Sequence, residues 1–390
     1  MGFDTIIDRF GTDCAKWDLM EKFYGVPAGD GLAMWVADTD FRPPQVVLDK
    51  MQAMVDHGIF GYVKPEEAYH AAICWWMKTR HDWHVDPSWI FTTTGLVNAI
   101  GLCLDTFTRP DDGVVLFTPV YHSFARVIRA GGRRVVECPL VNNDGRYEMD
   151  FSAYDAQMTG SESMVILCSP HNPGGRVWTR AELQGLGDFC KRHDLILISD
   201  EIHHDLVFSG HKHLPMSEAD RSVVDRTIIL TAPSKTFNIA GLHTGNVIIE
   251  DDILRAKFGA RMAALALAGN SFGQFAAIAA YSPEGALWMD EQMIYLDNNR
   301  RMLDQAIETI PGLSSMPLEA TYLAWVDFSD TGMTSEEFTG RVEKVARIAV
   351  SHGDSFGSGG EMFLRFNFGT QASRVKEACA RLQSAFGDLQ

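Results

Sequence analysis

The sequence is short of basic charge, and its cysteines form no group that could hold a metal or a disulfide framework. Its 51 acidic residues outnumber 34 basic ones, a formal net charge of -17, so the surface repels nucleic acid and anionic lipid. An anionic substrate therefore needs a local cation. The seven cysteines (Cys14, Cys74, Cys103, Cys138, Cys168, Cys190 and Cys379) are odd in number, scattered, and unpaired at metal-ligand spacing. Free thiols in a reducing compartment are expected. His81-Asp82-Trp83-His84 and His211-Lys212-His213 each lack a cysteine or a spaced third histidine nearby in the chain, so no metal site is expected. No apolar run approaches the roughly 20 residues that span a bilayer, and Met1-Gly2-Phe3-Asp4-Thr5 lacks the basic and apolar regions of a signal peptide. Repeats, low-complexity segments and Pro/Gly/Ser-rich linkers are missing too. The expectation is a cytoplasmic protein of closely packed domains, with neither nucleic acid nor membrane as a partner.

What is present is ample apolar material: 46% of 390 residues are hydrophobic, enough for a large core and two or three domains at most. Between about Ile90 and Ile249, short β-branched runs alternate with longer amphipathic ones, the pattern of strands joined by crossover helices. Val114 to Phe117, Val165 to Cys168, Leu195 to Ile198, Ile228 to Leu230 and Asn246 to Ile249 are continuous apolar strands, as suits a mostly parallel sheet covered on both faces. Thr179-Arg180-Ala181-Glu182 opens a helix with a capping box that runs to about His193. After Pro283 the pattern predicts a long helix from Trp288 to about Ile310, a strand over Thr321 to Val326, a helix over Ser335 to Ala346, a strand over Phe363 to Phe368, and a final helix. Helices segregated from a few strands predict a smaller α+β domain beside the α/β core.

Polar groups follow the strand ends: Ser169-Pro170-His171-Asn172-Pro173-Gly174-Gly175 after Cys168, Ser199-Asp200 after Ile198, and Thr231 to Lys235 after Leu230. Ligands of open parallel sheets bind beyond those carboxyl ends. Lys235, in Ala232-Pro233-Ser234-Lys235-Thr236-Phe237-Asn238-Ile239-Ala240-Gly241, together with Asp200, in Ser199-Asp200-Glu201-Ile202-His203, points to pyridoxal 5'-phosphate. A lysine that forms an imine with an aldehyde cofactor needs a carboxylate elsewhere to keep the pyridine nitrogen protonated, because the protonated ring is the electron sink. Thr92-Thr93-Thr94-Gly95-Leu96-Val97-Asn98 adds a glycine turn before a predicted helix, whose free N-terminal amides would bind a phosphate. Singly these signals are weak: Asn172 to Gly175 reads as a turn, Asp200 as a helix cap and Lys235 as a surface lysine. Their joint order argues for one site.

With those residues assembled, the chain resembles the fold-type I pyridoxal phosphate enzymes of the aspartate aminotransferase superfamily over nearly its whole length. It resembles more closely the MalY/PatB-type cystathionine β-lyases, or C-S lyases, in Met34 to Phe41, Gly58-Ile59-Phe60-Gly61-Tyr62, Ser199 to His203 and Pro233 to Gly241. The resemblance implies an α/β fold: a large domain at 47–285 with a mostly parallel seven-stranded sheet flanked by helices, and a smaller α+β domain from 1–46 and 286–390. It implies that Lys235 holds the cofactor as an imine and removes the substrate Cα proton. Asp200 pairs with the pyridinium nitrogen, Asn172 bonds the phenolic oxygen, and Tyr121 stacks on the ring and helps protonate a leaving thiolate. Gly95, Leu96, Val97 and Ser234 take the phosphate, and Tyr62 reaches the phosphate of a neighbouring subunit, which implies a homodimer with shared sites. Arg365 clamps the substrate α-carboxylate, where a planar two-point donor is favoured, while Trp35 and Tyr322 line the substrate entrance.

Two departures from the aminotransferase pattern matter. His203, counted with the cofactor residues, stands where aspartate aminotransferases carry a tyrosine, and His243 stands where many carry an arginine on the phosphate. The MalY/PatB-type group resembles the chain at the first position and also lacks that arginine. Gly357-Ser358-Gly359-Gly360 looks like a phosphate loop but precedes a strand instead of opening a helix, so a flexible loop is expected. The reading that follows is a C-S β-lyase converting cystathionine or a related cysteine S-conjugate to a thiol, pyruvate and ammonia. Its rivals are an aminotransferase, which shares every step up to proton removal, and a regulatory binding protein that retains the fold.

Overall fold

A computed structural model describes residues 2–64 and 66–389. Its central sheet holds β1 (Ile90–Thr93), β2 (Gly113–Leu116), β3 (Arg134–Glu137), β4 (Glu162–Cys168), β5 (Ile196–Asp200), β6 (Thr227–Thr231) and β7 (Gly245–Ile248). The spatial order is β1-β7-β6-β5-β4-β2-β3. Only β7 runs against its neighbours, so the expected mostly parallel, seven-stranded α/β sheet is what forms. The inner strands are buried on both faces, and their Val, Ile and Leu runs are continuous for that reason. Edge strand β3 is half-exposed and correspondingly mixed.

The helices that frame the sheet and the second layer include α1 (Gln45–His57), α2 (Glu66–His81), α3 (Leu96–Phe107), α4 (Arg180–Arg192), α5 (Pro283–Glu308) and α6 (Ala372–Ala385). Both reciprocal bonds of the α4 capping box are made, between Thr179 and Glu182. Helix α5 begins earlier than the apolar pattern predicts, because Ser282 caps the Gly285 amide and Pro283 occupies the first turn, where its missing N–H costs nothing. The helix predicted over 335–346 changes hand-hold midway, passing from α (Ser335–Gly340) to a single π turn (Arg341–Val345).

A second, antiparallel sheet contains β8 (Ser314–Ser315), β9 (Leu323–Asp327), β10 (Ser351–His352) and β11 (Phe363–Asn367), in the order β8-β9-β11-β10. Against it lies the N-terminal segment: Leu32 and Ala33 pair in parallel with Ile348 and Ala349, and the Asn367 amide donates to the Met34 carbonyl at 2.8 Å. One buried apolar cluster is continuous from β4 and β5 to β9 and β11. Gly357 to Gly360 form a turn packed against its surroundings: a Cβ on Gly353 would sit 1.9 Å from the Gly360 carbonyl oxygen, and the Ser358 amide donates to Glu137. No helix among the described residues is long and apolar enough to cross a membrane.

The N-terminal segment is fixed by buried charge. Lys16, wholly buried, lies 3.2 Å from Asp40 and 3.5 Å from Asp38, while Arg9 bonds both carboxylates at 2.7 Å and Trp17 Nε1 donates to Asp40 at 2.9 Å. Burial alone would raise the Asp40 carboxyl; Lys16, Thr370, Trp17 and Arg9 outweigh it and hold it at about 2. Removing one partner of such a pair strands the other, at about 3–5 kcal/mol. Asp40→Asn is therefore expected to lower unfolding free energy by about that much in urea titrations. Because the folded pKa is depressed, the Asp40 contribution is complete above the ordinary carboxyl range and fades as pH falls toward about 2. The gap between wild type and variant should close over that acid window; a gap independent of pH would contradict the assignment.

Candidate active site

Residues 35–41 form a wall in which consecutive carbonyls accept side-chain donors. Trp35 O takes Arg365 Nη2 at 2.8 Å and Ser351 Oγ at 3.0 Å, Val36 O takes Asn367 Nδ2, and Ala37 O takes Lys235 Nζ at 2.6 Å and Tyr322 Oη at 3.0 Å. Asp38 O takes Asn367 Nδ2 at 2.6 Å, Asp40 O takes Gln371 Nε2 at 2.9 Å, and Asn238 Nδ2 bridges Thr39 O and Phe41 O at 2.8 and 2.7 Å. The wall thus joins the lysine loop, β11 and the N-terminal segment at one place.

Lys235 follows β6, in a turn whose next residue is secured from two sides: Thr236 Oγ1 donates to Asp205 at 2.8 Å, and Gln292 Nε2 donates to Thr236 O at 3.0 Å. Burial pulls the amine down to about 8; Asp38 and Asp200 oppose the shift and Arg365 reinforces it. A neutral amine, the form that attacks an aldehyde, is therefore accessible near physiological pH. Asp200 ends β5 in register with Cys168 and Leu230 on the adjacent strands. Its carboxylate accepts the Ile202 amide at 3.1 Å, and burial pushes it up to about 7, against the pull of that amide and of Lys235. A buried carboxyl so poorly compensated suits a cationic ring nitrogen placed against it.

These groups line a cavity of about 280 Å3 together with Gly95, Leu96, Val97, Asn172, Ser234 and His243. Tyr121 and His203 complete it. Gly95 is the N-cap of α3 at φ 104°, ψ 164°, a conformation that only glycine adopts freely. The first residues of the helix, whose amides have no intrahelical partners, line the cavity. His203 is pushed well below the usual imidazole range by burial and by the cations Lys235 and Arg365, so its ring is neutral, with Nδ1 unbonded. A buried carboxyl for a pyridinium, an amine for an aldehyde and helix amides for a phosphate fit pyridoxal 5'-phosphate by donor chemistry alone.

A second cavity of about 420 Å3 shares Ala37, Tyr121 and Lys235 with the first and adds Trp35 and Arg365. Arg365 is buried and, among the described residues, meets no carboxylate: Nη1 donates to Asn172 Oδ1 at 2.9 Å, Nη2 to Trp35 O and Ser351 Oγ, and the guanidinium lies 4.9 Å over the Phe356 ring. Burial lowers it to about 10, so it remains charged and available to an anion. The Asn172 amide nitrogen is left free for another acceptor by that same bond.

Tyr322 is corrected by the structure. Instead of lining an entrance it is fully buried, its hydroxyl spent on Ala37 O, and its ring stands 6.2 Å edge-on from His203. Buttressing the wall is its observable position, because β9 begins one residue later and faces it into the core. Tyr62 lies away from both cavities, fully exposed. Residues that sequence reasoning missed line the outer cavity: Tyr24, His122, His352, Asp354 and Ser355. Burial, Arg365 and Arg126 lower His122 to about 4, while a bond to Glu343 raises His352 against the effect of burial. Only His122 left a trace in the sequence, beside Tyr121; the others arrive on distant loops.

Residues 35–382 match the family described as aminotransferase class I and II. The chain is 39% identical to cystathionine beta-lyase PatB of Bacillus subtilis (strain 168), over 99% of this chain and 100% of that protein. Among solved structures it is similar to cystalysin of Treponema denticola, which contains a pyridoxal 5'-phosphate cofactor, at a TM-score of 0.94 and 35% identity, covering 100% and 99% of the two chains. It is likewise similar to the PLP-bound C-S lyase of Staphylococcus hominis, at a TM-score of 0.90 and 30% identity over 99% and 98%. The chain belongs to the aminotransferase class I and II family, and within it resembles the PatB-type C-S lyases.

Proposed function

We propose that this protein is a pyridoxal 5'-phosphate-dependent C-S β-lyase that splits cystathionine or a related cysteine S-conjugate into a thiol, pyruvate and ammonia, consuming one water. The observation that carries the reading is the convergence of a buried amine, Lys235, and a buried guanidinium without a carboxylate partner, Arg365, on the junction of two cavities. One cavity suits the cofactor and the other an amino acid. When bound, the cofactor supplies the electron sink that makes a substrate Cα proton acidic.

The chain's own residues do the rest. Arg365 holds the α-carboxylate through its two-point fork, which turns Cα toward Lys235. Lys235 would hold the aldehyde carbon and, once the substrate amine displaces it and frees its own amine, take the Cα proton. Asp200 would keep the ring nitrogen protonated and Asn172 would donate to the phenolic oxygen, while neutral His203 adds no charge to the cavity. Gly95, Leu96, Val97 and Ser234 would hold the phosphate. Tyr121, common to both cavities, would pack against the ring and give a proton to the departing sulfur. Trp35 forms the side wall of the substrate cavity, and Tyr322 supports that wall through Ala37 O. We also propose a homodimer: Ile59, Phe60, Tyr62 and Val63 form a run of exposed apolar side chains, a surface that marks a partner and would carry the Tyr62 hydroxyl to the phosphate of the other subunit.

Aminotransfer is the second reading, favoured by the family the chain matches, and it diverges only after proton removal. Stopped-flow absorbance with cystathionine and with alanine separates the two. Elimination predicts stoichiometric pyruvate and thiol from cystathionine, a spectrum that returns to its starting form with alanine, and loss of turnover in Lys235→Ala. Stable conversion to the pyridoxamine form, without thiol, would instead establish transfer. For the dimer, sedimentation should give twice the chain mass, and Tyr62→Phe should weaken cofactor retention on dialysis by about 10-fold, as for one lost hydrogen bond to a charged group. A monomer with full activity would contradict shared sites.

A further inference from the structure

Behind the cofactor cavity, on the far side of Thr236, the fold gathers residues that lie far apart in the sequence. His81 closes α2, His204 and Asp205 follow β5, and all three are buried, with ligand atoms within 4.8 Å of one another. The sequence offered His81 and His213 without a third histidine nearby; the fold supplies His204, whose ring is centred 4.7 Å from His81 and 6.2 Å from His213.

Hydrogen bonding leaves one vacancy in this cluster. His204 Nδ1 lies 2.5 Å from the Glu201 carbonyl oxygen, which can only accept, so Nδ1 carries the proton. In that tautomer the neutral ring presents Nε2 as a bare lone pair. That atom is buried, has no hydrogen-bond partner, and faces Asp205 Oδ2 at 3.4 Å. Asp205 Oδ2 already accepts from Thr236 Oγ1 at 2.8 Å. An acceptor opposed to an acceptor in the interior is costly unless a cation lies between them. Asp205 Oδ1 receives Trp76 Nε1 at 2.9 Å and lies 2.8 Å from His81 Nε2.

We propose that His81 Nε2, His204 Nε2 and Asp205 bind one divalent transition-metal ion, with zinc the best match. Tetrahedral zinc with bonds near 2.0–2.1 Å separates its ligand atoms by about 3.3 Å; His204 Nε2 lies 3.4 Å from Asp205 Oδ2 and His81 Nε2 2.8 Å from the other oxygen, Oδ1, in a set whose ligand atoms lie within 4.8 Å of one another, so the two rings need only a small shift to close on an ion. Two imidazoles and a carboxylate suit zinc or its neighbours. Backbone anchoring of His204 Nδ1, with Trp76 and Thr236 donating to Asp205, is the outer support that metal ligands require. A fourth position opens on a cavity of about 390 Å3 lined by Arg80, His211, Lys212 and Asp290, which gives an ion a path from solvent. The ion would tie α2 to the segment that carries Asp200 and His203 and, through Thr236, to the neighbour of Lys235.

The test uses tag-free holoenzyme, freed of metal with a chelator and dialysed, titrated with Co2+ and then Zn2+. One equivalent of cobalt with tetrahedral visible bands, displaced by zinc, and a thermal midpoint raised by a few degrees at saturating zinc are expected. His204→Gln and His81→Gln should each weaken cobalt binding by about 100-fold or more, while His84→Ala, at an exposed histidine outside this cavity, leaves it unchanged. Absence of the tetrahedral bands in the wild type, or wild-type affinity in both glutamine variants, overturns the site. If either variant fails to fold, the wild-type spectrum alone decides.

Discussion

The carbonyls of residues 35–41 are the constraint on which the rest of the structure depends. Every one of the seven accepts a side-chain donor, and two of the donors are the buried cations Lys235 and Arg365. A buried guanidinium or amine needs compensation, and here part of it comes from neutral carbonyls in place of carboxylates. That choice leaves both charges unneutralised and open to a ligand. A carboxylate at Val36 or Ala37 would stabilise the empty fold and block the substrate. The Lys16, Arg9, Asp38 and Asp40 network has the opposite character, a cluster of paired charges that holds the segment in register.

Function follows from this separation of paired and unpaired charge. The chain as a whole is strongly acidic, -17, yet the substrate cavity presents a cation to its occupant. Asp200, pushed up to about 7 by burial, is the complementary case: a carboxyl that recovers its charge when a cation arrives. Neutral His203 and His122 line the cavities without competing for either ion. Each group is poised by desolvation, and the second layer, Asn238, Gln292, Asp205 and Tyr322, fixes where the desolvated groups sit.

The sheet was legible because its strands are buried on both faces, which turns burial directly into unbroken runs such as Val165 to Cys168. Strand ends then carried Asn172, Asp200 and Lys235 in an order that few other sites share. Legibility ended where position depends on packing between distant segments. Tyr24, His352 and Asp354 reach the outer cavity from loops with no local signature, and Tyr322 was misplaced because a residue near a strand start can face either side. The Ser282 cap and the π turn after Gly340 shifted helix limits for local reasons that hydrophobic periodicity does not register. His81, His204 and His213 met only through the fold, since no spacing in the chain relates them.

The central claim is that Arg365, left without a carboxylate of its own, is completed by the carboxylate of the substrate. Its most direct test compares kcat/KM for a cysteine S-conjugate and the matching carboxamide in wild type and in Arg365→Lys. Lysine keeps the charge but loses the planar fork. The account predicts that wild type prefers the acid, that the variant loses about 10–100-fold on the acid through KM, and that the preference largely collapses. An undiminished preference for the acid in Arg365→Lys would contradict it.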